Sequence, residues 1–202
     1  MSVLVSRRQV IAGLGVLGLS LLAGCDSGGR PPYKYGKDLS DQMLGRTFKL
    51  TDTDGYETSL SAFRGMMPMV IFGFAKSPSI VPTALARAVE IKKRMGKDGE
   101  RFHVIFVTLN PERDTPARLD AYVKSFDPSF VALYGTLEET AATAKEFNVA
   151  YEKTPSGSTY TLSHSTTSYV YDYRGTLRLG LSQSLSAQEC AEDLLNLMEI
   201  CE

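Results

Sequence analysis

The stretch M-V-I-F-G-F-A-K-S-P-S-I-V-P-T, residues 69–83, decides the fold. Its first six residues form a short apolar run, which is typical of a buried strand. The prolines in the following A-K-S-P-S-I-V-P-T predict a turn that opens a helix. A helix N-terminus presents free backbone N–H groups and the positive end of the helix dipole, which together stabilise a thiolate. This unit would suit redox or soft-metal chemistry, but it carries Ser77 and Val81 and no cysteine.

Several segments, in order along the chain, resemble the SCO/SenC family. Residues 72–83 are similar to its signature F-G-[FY]-x-x-C-P-x-x-C-P-T. N-P-E-R-D-T-P at residues 110–116 resembles the family loop D-P-E-R-D-T-P, and residues 122–128 and 144–147 match neighbouring segments. S-H-S at residues 163–165 resembles the D-H-S/T segment that carries the histidine ligand of the family. The resemblance covers nearly all of the chain beyond its N-terminal segment.

The resemblance implies a fold and a pathway. Members of this family are membrane-anchored thioredoxin-fold proteins that handle copper during assembly of the cytochrome c oxidase copper centre. We therefore expect an α/β fold, a thioredoxin-like three-layer sandwich with an N-terminal β-hairpin. The expected partners are an intact SCO/SenC homologue or a cytochrome oxidase subunit. In the family, two cysteines and a distant histidine bind copper.

Three positions depart from the family pattern. Ser77 and Val81 occupy the cysteine positions, and Asn110 occupies the position of the loop aspartate. Carried over residue by residue, the ligand set keeps only His164, with Asp114 expected near the altered site. A serine hydroxyl is far harder to ionise than a thiol, and valine cannot resolve a mixed disulfide. We therefore predict no enzyme activity and no catalytic residue.

Copper is the candidate cofactor, although the residues do not establish any cofactor. Cu(I) favours thiolate and thioether ligands, so His164 alone predicts a weak site, with Cu(II) bound by His164 and a carboxylate as the alternative. Met66, Met67 and Met69 cannot replace the sulfur, since Met69 lies roughly 20–25 Å along the strand from Ser77. Packing is their expected role. Hydrolysis by a Ser77–His164 nucleophile and base pair is not favoured, because the sequence lacks a G-x-S-x-G elbow.

The N-terminus has the features of an exported lipoprotein. Residues 1–24 contain Arg7-Arg8 and then an apolar run too short to favour a spanning helix, which predicts a signal peptide. L-A-G-C ending at Cys25 resembles a lipobox, so we expect Cys25 to be lipidated. Residues 25–37, rich in Gly, Pro and Ser, predict a flexible tether, and residues 38–202 the domain. The expected location is the extracytoplasmic (periplasmic) face of the bacterial inner membrane. An uncleaved anchor is the alternative, and both Sec and twin-arginine export fit.

Length, charge and cysteine spacing indicate how many domains, which partners and which disulfides to expect. The 202 residues suffice for one domain, and the net charge of −1 gives no reason to expect nucleic acid as a partner. Beyond Cys25, the cysteines are Cys190 and Cys201, on one helical apolar stripe. Eleven residues of helix span about 16 Å, too far for a disulfide, so two buried thiols are expected. His103, within a predicted strand, is expected to be structural.

Period and capping signals predict the elements. A hairpin is expected around D-T-D-G, with strands at 48–51 and 57–60. Capping boxes of the S/T-x-x-E type start at Thr136 and Ser186. The remaining predicted strands are 67–74, 101–109, 130–134, 159–162, 168–173 and 176–181, and the helices are 82–95, 115–126, 136–147 and 186 to the end. The resulting prediction is an SCO/SenC lipoprotein of copper handling and oxidase maturation without its own thiolate copper site. The alternatives are a weak His164-centred copper protein and a binding module unrelated to copper.

Overall fold

The computed structural model describes residues 33–157 and 159–201. Ten strands and four α-helices follow one another in these ranges. The strands are β1 (Lys37–Asp38), β2 (Leu50–Asp52), β3 (Glu57–Thr58), β4 (Met67–Gly73), β5 (Phe102–Thr108), β6 (Val131–Tyr134), β7 (Tyr151–Ser156), β8 (Thr159–His164), β9 (Ser168–Tyr171) and β10 (Leu177–Leu181). The helices are α1 (Ile80–Arg94), α2 (Pro116–Lys124), α3 (Leu137–Glu146) and α4 (Ala187–Cys201).

The main sheet has eight strands in the order β1-β10-β9-β4-β5-β6-β2-β3. At its centre β4 and β5 run parallel, from Met67 opposite Phe102 to Gly73 opposite Thr108. Strand β6 is parallel to β5, while β9 and β10 are antiparallel to their neighbours. Both central strands therefore end at the same edge of the sheet, where the loops after β4 and β5 meet.

Side chains of the sheet feed two separate cores. Met69 and Ile71 of β4 belong to the cluster that includes residues of α1, α2 and α4. Val70 and Phe72 point to the other face, where α3 and the segment before β4 cover the sheet. Because all seven residues of β4 are buried, the strand is apolar throughout and does not alternate. Helices on both faces of one sheet make the predicted three-layer sandwich.

Local signals in the sequence located most elements. The N-terminal hairpin is confirmed, since β2 pairs with β3 and Asp52 Oδ1 accepts the N–H groups of Asp54 and Tyr56 in the D-T-D-G turn. Both capping boxes are confirmed, with the Thr136 and Ser186 hydroxyls accepting backbone N–H bonds three residues on. Strand β1 was not predicted, and the other strands of the sheet and the helices lie within a few residues of their predicted bounds.

Strand β7 is absent from the prediction. It pairs with β8 as a separate two-stranded sheet from Tyr151 opposite His164 to Ser156 opposite Thr159. The β7 sequence Y-E-K-T-P-S has almost no apolar residue and is mostly exposed. It therefore gives none of the alternation by which a half-buried strand is recognised. Strand β8 also extends past its predicted end to His164.

Residues 33–36, which precede the predicted start of the domain at residue 38, already contact the core. Tyr33 is 4% exposed and joins the core, and the N–H groups of Lys34, Tyr35 and Gly36 all donate to the buried carboxylate of Asp193. The N-terminal segment is thus fixed to α4 before β1 begins. The predicted signal peptide, Cys25 and most of the predicted tether lie outside the described residues. Within residues 33–157 and 159–201, none of the helices is both long enough and apolar enough for a membrane span.

Candidate functional site

Ser77 lies in the turn between β4 and α1. Its N–H donates to the carbonyl oxygen of Phe74 at 3.0 Å, and its Oγ accepts the N–H of Val81 at 3.4 Å. The hydroxyl therefore covers one of the free N–H groups of the first turn of α1, a role that the nominal N-cap Ser79 does not fill. Ser77 is 6% exposed, so the group that replaces the family thiol is a buried capping hydroxyl.

Val81 is part of the core. Its side chain is fully buried among residues of the first cluster. It packs so closely on β4 that a Cβ atom placed on Gly73 would lie 2.2 Å from Val81 Cγ2. Gly73 is therefore required by this close approach of helix and strand. The second family cysteine position thus holds an apolar group that stabilises the α1–β4 contact and offers no ligand atom.

Asp114 ties the two loops of this edge together. Its Oδ2 accepts the N–H of Ala75 at 3.0 Å and the hydroxyl of Thr108 at 2.7 Å. The residue is 1% exposed, and its Oδ1 is buried without a hydrogen-bond partner in the described part of the chain. The Thr108 hydroxyl in turn accepts the N–H of Asn110. Asp114 thus lies beside the altered turn, where the family resemblance placed it.

Asn110 serves as an anchor for the β7–β8 hairpin. Its Oδ1 accepts the hydroxyl of Tyr160 at 2.6 Å. The guanidinium of Arg113 lies 3.4 Å from the centre of the Tyr160 ring and donates to the Thr159 hydroxyl at 2.8 Å. Lys153 of the hairpin forms an ion pair with Glu112 of the same loop. We refer to this contact of residues 110–113 with the hairpin as the hairpin clamp. Tyr160 lies in β8, whose strand was predicted, but its partner Asn110 is 50 residues away, so no local pattern indicates this role.

His164 ends β8 and reaches the altered turn through Phe74. The two rings lie edge to face with centroids 6.0 Å apart. Since the carbonyl oxygen of Ser165, 2.8 Å from His164 Nδ1, can only accept a hydrogen bond, Nδ1 carries the hydrogen. Nε2 is left with its lone pair, buried and without a partner in the described residues. Burial lowers the pKa of His164 and the bond to Ser165 opposes this, so the ring is neutral at pH 7.

The donor set of this edge does not fit a soft metal ion. It offers one imidazole nitrogen, a hydroxyl engaged in capping and a carboxylate, whereas Cu(I) favours sulfur. No group of three or more His, Cys, Asp or Glu side chains in the described ranges is placed to hold a metal ion. Met67 and Met69 are buried in the core, and Met66 precedes β4 at the opposite edge of the sheet.

The remaining candidate residues lie away from this edge. Cys190 and Cys201 are both free and both on α4, but only Cys190 is buried as predicted, whereas Cys201 is half-buried at the end of the helix. Burial raises the pKa of the Cys190 thiol to about 11, which makes it a core side chain and not a nucleophile. His103 packs on the ring of Phe63, with centroids 5.8 Å apart, in agreement with a structural role.

The sandwich and its strand–turn–helix edge define a thioredoxin-like domain whose thiol positions are filled by other residues. Comparison with known proteins makes the class more specific. The sequence model of the SCO1/SenC family matches residues 36–199. The chain therefore belongs to the SCO1/SenC family, as its motifs indicated.

Relatives and solved structures agree with this assignment. An SCO2-like protein of Rickettsia typhi is 30% identical over 156 residues, which cover 76% of this chain and 77% of the relative. The copper-bound structure of ScoI from Bradyrhizobium japonicum is 30% identical, with a TM-score of 0.67 and coverage of 80% of this chain and 98% of that chain. Copper-bound Sco1 of yeast is 27% identical, with a TM-score of 0.71 over 78% of this chain and 90% of that chain. These matches confirm the thioredoxin-like α/β fold.

Proposed function

We propose that this chain acts in copper handling and cytochrome c oxidase maturation through its binding surface, without thiol redox chemistry or a thiolate copper site of its own. A solved relative is described as a member of the Sco family of cytochrome c oxidase assembly proteins, and two others hold copper. The proposal rests on the residues that stand at the two cysteine positions of the family. Ser77 caps α1, and Val81 fills the core against Gly73. The proposed partner is an intact SCO/SenC homologue that carries copper, or an oxidase subunit.

The rest of the edge favours a surface that keeps its shape. Asp114 joins the loops after β4 and β5, and the hairpin clamp fixes β7 and β8 onto residues 110–113. These contacts need no metal ion, since they consist of hydrogen bonds, an ion pair and a cation–π contact within the chain. A partner that recognises the SCO fold would therefore meet a preformed surface in this chain.

A second candidate function is a weak copper site centred on His164. It is favoured by the buried, unpartnered Nε2, since a neutral imidazole with its other nitrogen bonded to a carbonyl is the form that ligates a metal ion. With one nitrogen ligand and a carboxylate as a second ligand, such a site would prefer Cu(II) to Cu(I).

Competition titrations with Cu(I) and Cu(II) on the full chain in detergent test the two candidates. The variants are His164→Ala, the matched control His103→Ala, which removes the other histidine of the chain, and Cys190→Ser with Cys201→Ser. The main proposal expects no tight Cu(I) binding in any sample. Tight binding that only His164→Ala abolishes would contradict it and establish a copper protein. Binding lost only with the cysteines would identify adventitious thiols on α4.

The pathway is tested in the cell under copper limitation. We expect deletion of the gene to lower the amount of assembled oxidase, and a His164→Ala copy to restore it, because the surface is retained. An unchanged oxidase level after deletion would contradict the proposal and favour a binding module unrelated to copper.

We further propose that the domain is held at the extracytoplasmic face of the inner membrane by lipid on Cys25. The L-A-G-C sequence after an apolar run is the feature that supports this. A Cys25→Ser variant should leave the membrane fraction or keep its signal peptide, which mass spectrometry of the N-terminus distinguishes. A wild-type chain that keeps residues 1–24 would indicate an uncleaved anchor instead.

A further inference from the structure

At the sheet edge opposite the Ser77 turn lies a pocket of about 420 Å³. It is formed where the loop before β2, the 3₁₀ turn Leu60–Phe63 and the β9–β10 turn come together. Strand β4 starts here and runs seven residues, about 20 Å, to the altered turn. The pocket is therefore separate from the candidate site already described, and nothing argued for it rests on the proposed function.

Three arginines, Arg46, Arg64 and Arg174, line this pocket, and none of the described residues that line it is acidic. None of the three forms an ion pair within residues 33–157 and 159–201. Arg46 donates only to the sulfur of Met43, a weak acceptor, and Arg174 to the hydroxyl of its neighbour Tyr173. Like charges gathered without a counter-ion repel one another, so a bound anion would relieve this repulsion.

The backbone fixes each arginine beside a glycine in the left-handed region. Gly45 precedes Arg46 with φ of 64°, Gly65 follows Arg64 with φ of 86°, and Gly175 follows Arg174 with φ of 82°. All three glycines adopt a conformation that other residues avoid, so these turns are specified by the sequence.

Long-range hydrogen bonds hold the three turns together. The buried Tyr171 donates its hydroxyl to the carbonyl oxygen of Leu44, which places the loop of Arg46. The N–H of Gly65 donates to the carbonyl oxygen of Tyr173 at 2.9 Å, which joins the turns of Arg64 and Arg174. The arginines thus stand on fixed backbone around one cavity, which lowers the cost of ordering them around a ligand.

We infer that this arginine pocket binds a phosphate-bearing anion, either the headgroup of an anionic phospholipid or a soluble phosphate compound. A guanidinium presents paired N–H donors that match phosphate oxygens, and a phosphate group has enough oxygens for more than two guanidinium partners. The hydroxyls of Ser40 and Thr176 and the amide of Gln42 add neutral donors to the same wall. A volume of about 420 Å³ accommodates a group of the size of glycerol phosphate.

Site-resolved modification with the arginine reagent phenylglyoxal tests this inference on the full chain. Rates at each arginine are measured by mass spectrometry in detergent with inorganic phosphate, with glycerol 3-phosphate or with acetate at equal ionic strength. The same rates are measured in lipid nanodiscs of phosphatidylcholine with and without phosphatidylglycerol. Arg94, which is exposed and lies outside the pocket, is the internal control.

We expect Arg46, Arg64 and Arg174 to be protected together, by about ten-fold when the probe is at ten times its Kd, while Arg94 is unaffected. Protection by the soluble phosphates assigns the ligand to the soluble class, and protection by phosphatidylglycerol nanodiscs alone assigns it to the lipid headgroup. In an Arg64→Gln variant, protection of the other two should fall to less than about half, whereas Arg94→Gln should leave it unchanged. Protection no greater than with acetate, or protection of Arg94 to the same degree, would overturn the inference.

Discussion

Replacing Ser77 and Val81 with cysteine should create a Cu(I) site in this chain. The two positions lie four residues apart at the start of α1, and Ser77 Oγ already contacts the N–H of Val81. Both are at the edge of the sheet where Phe74 contacts His164, whose Nε2 has no partner among the described residues and is available as a third ligand. If the scaffold is that of the family, two thiolates and one imidazole would be restored by two substitutions.

The contacts of Ser77 and Val81 determine how much stability the two cysteine substitutions remove. Val81→Cys removes about one methyl group from a fully buried side chain, at about 1 kcal/mol. Ser77→Cys loses a hydrogen bond of 3.4 Å, at about 0.5 kcal/mol. The metal-free double variant should therefore be about 1.5 kcal/mol less stable than the parent. Free Cu(I) at 100 times its Kd adds about 2.7 kcal/mol to the stability of a chain that binds it only when folded.

Thermal unfolding under reducing, oxygen-free conditions measures both the loss of stability without metal and its recovery with Cu(I). At about 2–4 °C per kcal/mol, the variant should unfold about 3–6 °C below the parent with a chelator present, and Cu(I) should raise its Tm by about 5–11 °C. The parent is the control for Cys190 and Cys201, which both chains share. Adding His164→Ala to the double variant should reduce the copper-dependent rise. A folded double variant whose Tm does not respond to Cu(I) would refute the assignment of this edge as an SCO-type site.

Three further outcomes follow from buried groups. Asp114→Ala should lower the free energy of unfolding in urea by about 3 kcal/mol, because both hydrogen bonds to Oδ2 are lost. Asp114→Asn should lower it by only about 1 kcal/mol, because the amide oxygen keeps both bonds and the NH2 group takes the place of Oδ1, which has no partner among the described residues. Equal losses in the two variants would contradict this. Burial, and then the charge of Lys92, lowers the pKa of His103, so its stabilising contribution is complete above about pH 6.5 and is lost as the pH falls toward the lowered pKa. Below pH 6.5 the free energy of unfolding of the parent should therefore fall relative to that of His103→Gln, by at most about 1.4 kcal/mol per pH unit. A rise of the parent relative to the variant would contradict the lowered pKa. Cys201 should react with a maleimide at pH 8 in the folded chain and Cys190 only after unfolding, since the pKa of Cys190 is raised to about 11 and its side chain is fully buried.

The fold could be predicted where its signals are local. The apolar run of β4, the D-T-D-G turn and the capping boxes at Thr136 and Ser186 each identified an element within a few residues. The contacts of residues 33–36 could not be predicted in this way. Tyr33 and the residues after it are held by the carboxylate of Asp193, more than 150 residues away, and no local pattern records that contact.

Prediction of the site was limited for the same physical reason. The family pattern located Ser77, Val81, Asn110, Asp114 and His164, and the structure places them around the loops at one edge of the sheet. It did not reveal what each side chain does there. Such roles depend on partners brought close by the fold, and pattern matching cannot supply them.

The two positions that hold cysteine in the family pattern carry structural side chains in this chain. A cysteine that must exchange a metal ion has to keep a reactive, accessible sulfur. Here Val81 is at 0% exposure against Gly73, and the Ser77 hydroxyl supports the first turn of α1. Ser77 thus contributes a hydrogen bond and Val81 contributes packing, while Asp114 and the hairpin clamp hold the surrounding loops. Among the described residues, His164 Nε2 is buried without a hydrogen-bond partner, so His164 is the residue whose substitution best separates a binding surface from a residual copper site.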